Sequence, residues 1–237
     1  MLEALKLCTY VVTLDTEHRD PEAKRVYLCG EELLWEKELP HLLELDQFEL
    51  FYCQTDRPFT RIMFQAIRPR VKHVYAVNCD FSHPMVTRLP LGLPPTLLPR
   101  RSEFKRDILC YLNLGEYLDE FVVHRSARVL RQHCKTHFEK YDWVLQESKV
   151  PQMKFYDRLM HSRFVICPYG VGIDTWRFYE AAWYGAIPIV LSSNLDEVHA
   201  KFGAAIVDDW SEVTEERLRR WTGCINYDAF NMSEYLK

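Results

Sequence analysis

An arginine and a glutamate three residues apart, Arg177 and Glu180, follow a glycine-containing loop that runs Tyr169-Gly170-Val171-Gly172-Ile173-Asp174-Thr175. A diphosphate needs charge-assisted donors, and a guanidinium beside the free amides of a helix start supplies them. A carboxylate one helical turn further on suits ribose hydroxyls, which donate to it. At this spacing both side chains project from one helix face, close to the loop. The same spacing also fits a solvated ion pair of little energetic weight. The flanking Trp176, Phe178, Tyr179, Ala181, Ala182 and Trp183 speak against a freely solvated helix.

The elements that must position this pair can be read around it. Phe164 to Cys167 is an apolar run too short for a buried helix, and Pro168 ends it. Asp174 and Thr175 are candidate N-caps for a helix from about Trp176 to Tyr184, and Gly185 suits the left-handed position after it. A second apolar run, Ile187 to Leu191, follows, with Pro188 tolerated near a strand's first residue. Two parallel strands joined by a helical crossover place the loop at the carboxyl end of a sheet, where open α/β proteins bind ligands.

The segment also resembles the donor-binding stretch of exostosin-like glycosyltransferases, the family 47 type with two-domain GT-B architecture. The pattern is S-x-F-x-x-C-P-x-G, a short loop, then R-x-x-E-A-x-x-x-G-x-I-P-x-V-L. It is carried by Ser162, Phe164, Cys167, Pro168, Gly170, Arg177, Glu180, Ala181, Gly185, Ile187, Pro188, Val190 and Leu191. The segments 51–58, 75–94 and 108–117 resemble successive strand ends of the same relatives. The resemblance implies transfer of a sugar from a nucleotide diphosphate donor, a uridine diphosphate sugar first, to a glycan hydroxyl with inversion at the anomeric carbon. Arg177 and Glu180 then correspond to diphosphate and to ribose or nucleoside contacts, with Tyr169, Gly170, Gly172, Thr175 and Asn113 completing the donor side. Hexosyl and pentosyl transfer stay equally open, and no cofactor is expected beyond the nucleotide-sugar substrate.

An inverting transfer needs a base for the acceptor hydroxyl and positive charge for the leaving diphosphate. Asp56, just after the apolar run Phe48 to Cys53, is the first choice of base, because a strand's carboxyl end is where a carboxylate would face a ligand. Asp15, after the run Lys6 to Leu14, is the second. For both, a turn or N-cap role competes. Asn78 and His83 are candidates to touch acceptor or donor, and Arg125 and Arg128 to reach the phosphates, with a turn role for the asparagine and solvated positions for the arginines as the alternatives.

Apolar runs alternate with helical stretches in both halves. Strands are expected at Lys6–Leu14, Arg25–Cys29, Phe48–Cys53 and His73–Val77, then at Ile108–Leu112, Trp143–Leu145, Phe164–Cys167, Ile187–Leu191 and Ala204–Val207. Helices are expected at Glu31–Leu45 and Phe59–Ile67 in the first half. The proline-rich 90–99 suits a semi-rigid linker. The expectation is an α/β protein of two small Rossmann-like, doubly wound parallel-sheet domains, GT-B-like, with 1–98 on the acceptor side and 99–237 binding the donor.

With 48% hydrophobic and 14% aromatic residues the chain is expected to be ordered throughout, and a net charge of −4 gives no electrostatic case for nucleic acid. The eight cysteines are spread without a C-x-x-C pair, which suits small buried hydrophobes. His133 and His137 have metal-ligand spacing but lie among cations and lack the Glu of H-E-x-x-H, so no metal is expected. No apolar run approaches the roughly 20 residues of a membrane span, and the N-terminus lacks signal-peptide features, so a cytoplasmic setting, bacterial or viral, is expected. There is no G-x-x-x-x-G-K-[ST], and Thr175 stands where the third glycine of G-x-G-x-x-G should be. Two rivals remain: a nucleotide-sugar epimerase or hydrolase of the same architecture, and a non-catalytic glycan- or nucleotide-binding module.

Overall fold

A computed structural model describes residues 8–13, 16–30, 32–94, 97, 105–114 and 125–236. The chain forms two compact units, one of residues 1–91 with 172–174 and 232–237, the other of 92–171 with 175–231.

The first unit holds β1 (Tyr10–Val12), β2 (Glu17–His18), β3 (Arg25–Cys29), α1 (Glu32–Glu44), β4 (Phe48–Cys53), α2 (Arg61–Ile67), β5 (Val71–Val77) and β6 (Val86–Leu89). Its sheet runs β2-β1-β3-β4-β5-β6, with only the β1–β2 pair antiparallel. Strands covered on both faces are apolar almost throughout, and β3 and β4 are buried at all positions but one each. The expected bounds of these two strands hold to the residue. The first expected strand is described only over 8–13, where β1 covers Tyr10–Val12, while β2 and β6 had no expectation. Both sit at sheet edges, where half-exposed residues leave no apolar run to read.

The second unit holds β7 (Ile108–Asn113), α3 (Arg125–Phe138), β8 (Val144–Glu147), α4 (Gln152–His161), β9 (Ser162–Ile166), α5 (Trp176–Trp183), β10 (Ile187–Leu191), α6 (Asp196–Lys201), β11 (Ala205–Val207) and α7 (Glu215–Arg219). Its five strands are all parallel in the order β11-β10-β9-β7-β8. The order therefore reverses between β7 and β9, the kind of switch point beyond which open α/β sheets bind ligands. One face is covered by a core in which Phe138 and Trp210 meet edge to face at 5.9 Å, over Cys110, Leu112, Phe164 and Ile166. The α/β class with two parallel-dominated sheets is thus as expected.

All eight cysteines are free thiols, and six are buried, in keeping with their reading as small hydrophobes. No helix among the described residues is long and apolar enough to cross a membrane.

Two buried polar side chains of the first unit are paired, whereas the Tyr27 hydroxyl is buried without a partner among the described residues. Glu38, fully buried, accepts from the Tyr10 hydroxyl at 2.6 Å and from Arg19 Nε at 2.8 Å. Burial pushes its carboxyl up, but the bonds from Arg19 and Tyr10 outweigh that and hold it below the usual carboxylate range. Asn78, also fully buried, has φ 50°, a left-handed conformation that asparagine tolerates. Its Nδ2 donates to the Thr55 carbonyl and its Oδ1 accepts from the Asp174 amide at 2.7 Å. Asp174 Oδ2 in turn accepts from the Leu91 amide at 3.0 Å. Replacing Asn78 by Ala leaves a buried carbonyl and a buried amide unsatisfied and adds backbone strain. The expected loss is about 2–4 kcal/mol of unfolding free energy, read from the urea midpoint. An unchanged midpoint would show that this buried amide is not what holds the segment.

Candidate functional site at the strand carboxyl ends of the second unit

Asn113 ends β7 and α5 follows β9, so both lie at the switch point of the sheet. Helix α5 starts with Thr175 at the cap position in extended backbone, and no side chain caps it. This corrects the expectation that Asp174 or Thr175 would do so: the Asp174 carboxylate is spent on Leu91, within the first unit. The helix ends as expected, with Gly185 at φ 79°.

Arg177 is half-buried, and its Nε is buried without a hydrogen-bond partner among the described residues. The guanidinium lies 5.9 Å from the centre of the Phe155 ring, in the first turn of α4. It forms no ion pair with Glu180, so the surface-pair reading of these two residues does not hold. Glu180 instead accepts from the Tyr156 hydroxyl at 3.3 Å, which itself accepts from Gln152 Nε2 at 2.9 Å. Burial pushes the Glu180 carboxyl up, against the pull of Arg177 and the Tyr156 bond.

Beside this pair stands a polar chain of which the sequence reading named only Asn113. Asn113, 7% exposed, donates from Nδ2 to the Tyr111 hydroxyl at 3.1 Å, and that hydroxyl donates to Glu147 Oε2 at 3.2 Å. Glu147 closes β8 and is held by Arg158 Nε at 3.1 Å and by Lys154 Nζ at 2.7 Å. Tyr111 packs on Phe155 with ring centres 6.3 Å apart, which joins the chain to Arg177. Arg131, buried on α3, donates to the Tyr169 carbonyl at 3.3 Å, and the Tyr169 hydroxyl donates to the Ser192 carbonyl at 3.0 Å. Tyr169 is therefore a brace between the loop and the end of β10. Gly170 is buried beside it.

The structure thus brings Arg177, Glu180 and Asn113 together around Phe155, Tyr111 and Tyr156. Of the remaining expected residues, Gly172, Asp56, His83 and Asn78 lie in the first unit. A Cβ on Gly172 would sit 2.2 Å from the Asp56 carbonyl oxygen, so close backbone packing requires that glycine. Asp56 is half-buried in the bend after β4, and its carboxylate has no partner among the described residues. His83 accepts from the Met85 amide at 3.1 Å and packs on Phe64 at 4.6 Å, inside the turn before β6. Asn78 has its amide bonds described above. Asp15 and the Arg125 side chain lie outside the described residues, and Arg128 is exposed. His133 and His137 have ring centres 6.4 Å apart, and among the described residues no group of three or more His, Cys, Asp or Glu is placed to hold a metal.

Residues 116–203 match the family model for the RXYLT1 C-terminal domain. Two curated relatives, ribitol-5-phosphate xylosyltransferase 1 of Mus musculus and of Homo sapiens, are each 40% identical to this chain over 48 residues, 20% of this chain and 11% of theirs. The matched stretch therefore spans about a tenth of either relative's length. Among solved structures, a chain from the crystal structure of the GtfA/B complex has a TM-score of 0.39 and 10% identity, over 89% of this chain and 47% of that one.

Burial works against the Glu147 charge, but Arg158 and Lys154 outweigh it and bring its pKa from 4.5 down to about 2. A depressed carboxylate contributes stability that is fully present above its unfolded pKa and is lost as pH falls through the folded one. The wild-type protein is therefore expected to exceed Glu147→Gln in urea resistance at pH 6. That difference should shrink between the two pKa values, from 4.5 toward about 2. A gap that stays constant through this range would mean that the ion pairs contribute nothing.

Proposed function

We propose that this chain is a glycosyltransferase of GT-B type that takes a sugar from a nucleoside diphosphate and transfers it to a glycan hydroxyl with inversion. The observation that carries this is Arg177: a guanidinium at the switch point of a parallel sheet, with a buried Nε that has no partner among the described residues. An unmade buried hydrogen bond costs about 1–3 kcal/mol, which an anionic ligand would offset. The match of residues 116–203 to the RXYLT1 C-terminal domain supports the reading, since it includes Arg177 and Glu180. The exostosin-type kinship rests on the pattern from Ser162 to Leu191. The names of the two curated relatives make a pentosyl donor, xylose, the first to try.

In this reading Arg177 and the uncapped amides of α5 hold the diphosphate, and Glu180 accepts from the ribose hydroxyls. The acceptor oxygen attacks the anomeric carbon as the bond to the diphosphate oxygen breaks. The departing electron pair goes to that oxygen, where Arg177 offsets the growing negative charge. The acceptor proton passes to a carboxylate, for which Asp56 is proposed because it is half-exposed and unpartnered.

Calorimetric titration with uridine and guanosine diphosphates tests the donor site. One nucleotide is expected to bind, with affinity falling about tenfold or more in Arg177→Ala, the effect of losing a charge-assisted hydrogen bond. Binding is also expected to weaken as pH falls into the raised Glu180 range, because the protonated carboxyl accepts poorly, and Glu180→Gln should lack that dependence. Absence of binding by both nucleotides overturns the assignment. Should donor bind, Asp56→Asn is expected to leave the affinity unchanged and to abolish transfer; retained transfer would remove Asp56 as the base.

A further inference from the structure

The opposite edge of the second sheet carries a different set of cations. A cavity of about 280 Å³ is lined by Arg106, Arg163, Trp221 and Tyr227 with the apolar Ile187 and Ile225. Arg106 lies two residues before β7, Arg163 is the second residue of β9, and Ile187 opens β10, so this is the amino edge of the strands. Arg177 and Glu180 belong to the carboxyl edge.

The arginines near this edge differ in what they are bound to. In an adjoining surface pocket that shares Trp221, Arg217 pairs with Glu212 at 2.9 Å and Arg220 with Glu216 at 2.8 Å. Neither Arg106 nor Arg163 has a carboxylate partner among the described residues. Arg106 donates to two backbone carbonyls, those of Ser162 and Tyr184, which satisfies its geometry but leaves its charge uncompensated. Arg163 lies 5.8 Å from the centre of the Phe164 ring and makes no side-chain hydrogen bond among the described residues. A Cβ on Gly185 would lie 2.5 Å from Arg106 Nη2 and 2.8 Å from the Tyr227 hydroxyl, so the glycine lets both polar heads meet at one point of the wall. Among the described residues, no acidic side chain lines the cavity.

Two positive charges without counter-charge, facing a recess with a low-dielectric wall, attract an anion, and guanidinium groups match phosphoryl oxygens in geometry. The volume exceeds that of a phosphate ion, and the indole and two isoleucines give a small organic body apolar surface to rest on. We propose that this cavity binds a small phosphate monoester, its phosphoryl group held by Arg163 and Arg106 and its organic part against Trp221, Ile187 and Ile225.

The test uses the full chain carrying Arg177→Ala, so that anion capture at the other edge does not contribute. Inorganic phosphate and glycerol 3-phosphate are titrated while the indole N–H resonance of Trp221, assigned by its loss in Trp221→Phe, is followed by nitrogen-15 NMR. The expected result is a saturable shift of that resonance, weakened about tenfold in Arg163→Gln and partly retained in Arg163→Lys. A response to inorganic phosphate alone would support the anion-binding part and remove the organic part. Absence of a shift with both probes, or one that Arg163→Gln leaves untouched while its other resonances stay folded, overturns the proposal.

Discussion

In a parallel sheet every strand points the same way, and each crossover returns the chain to the same starting edge. The two edges consequently acquire opposite chemistry. At the carboxyl edge helices begin, and their free amides carry partial positive charge; at the amino edge helices end, and free carbonyls carry partial negative charge. The second unit obeys this constraint in all five strands. At the carboxyl edge the uncapped start of α5 adds to the Arg177 charge. At the amino edge the half-buried Arg106 meets the carbonyl that follows α5 and the one that opens β9, and a cation is the natural partner for a helix C-terminus. Burial pulls the Arg106 pKa down from its usual value without a carboxylate to restore it, so this guanidinium is held by backbone dipoles.

Much of this framework was legible in the sequence. Doubly covered strands leave continuous apolar runs, which is why β3, β4 and β10 could be bounded to the residue. The α5 stop was equally plain, because a glycine past a helix has a local steric reason. The edge strands β2 and β6 left no such mark. For the candidate site, the charged pair was visible through its spacing, whereas Tyr111, Phe155 and Tyr156 were not. An aromatic residue inside an apolar or amphipathic run looks the same whether it supports a guanidinium or fills a core.

The loop was the least legible part, for a reason of distance along the chain. Gly172 and Asp174 fit a ligand loop when read locally. Asp174, however, is tied to partners 96 and 83 residues away, Asn78 and Leu91, and Gly172 packs on the backbone of Asp56. No window of neighbouring residues contains that information. The buried Asn78 shows why the arrangement is specific. Its amide has one donor and one acceptor committed in different directions, and a carboxylate or an apolar side chain could satisfy only part of that demand.

The decisive feature of the carboxyl edge is that two opposite charges one helical turn apart do not meet. Had Glu180 closed on Arg177, the pair would have neutralised itself, and an incoming anion would have had to compete with an intramolecular carboxylate. The structure prevents this by giving Glu180 another partner: the Tyr156 hydroxyl, itself oriented by Gln152 from the same helix. Burial raises the Glu180 pKa, a further sign that its carboxylate is not fully neutralised by the arginine. Meanwhile the strongest carboxylate nearby, Glu147, is saturated by Arg158, Lys154 and Tyr111 and has no capacity left for Arg177. Glu180 and Glu147 are thus engaged elsewhere, and the cation at the switch point of the sheet is left without a carboxylate partner among the described residues. Such an arrangement costs stability on its own, and under the proposed donor-binding reading it leaves no internal group for the diphosphate to displace.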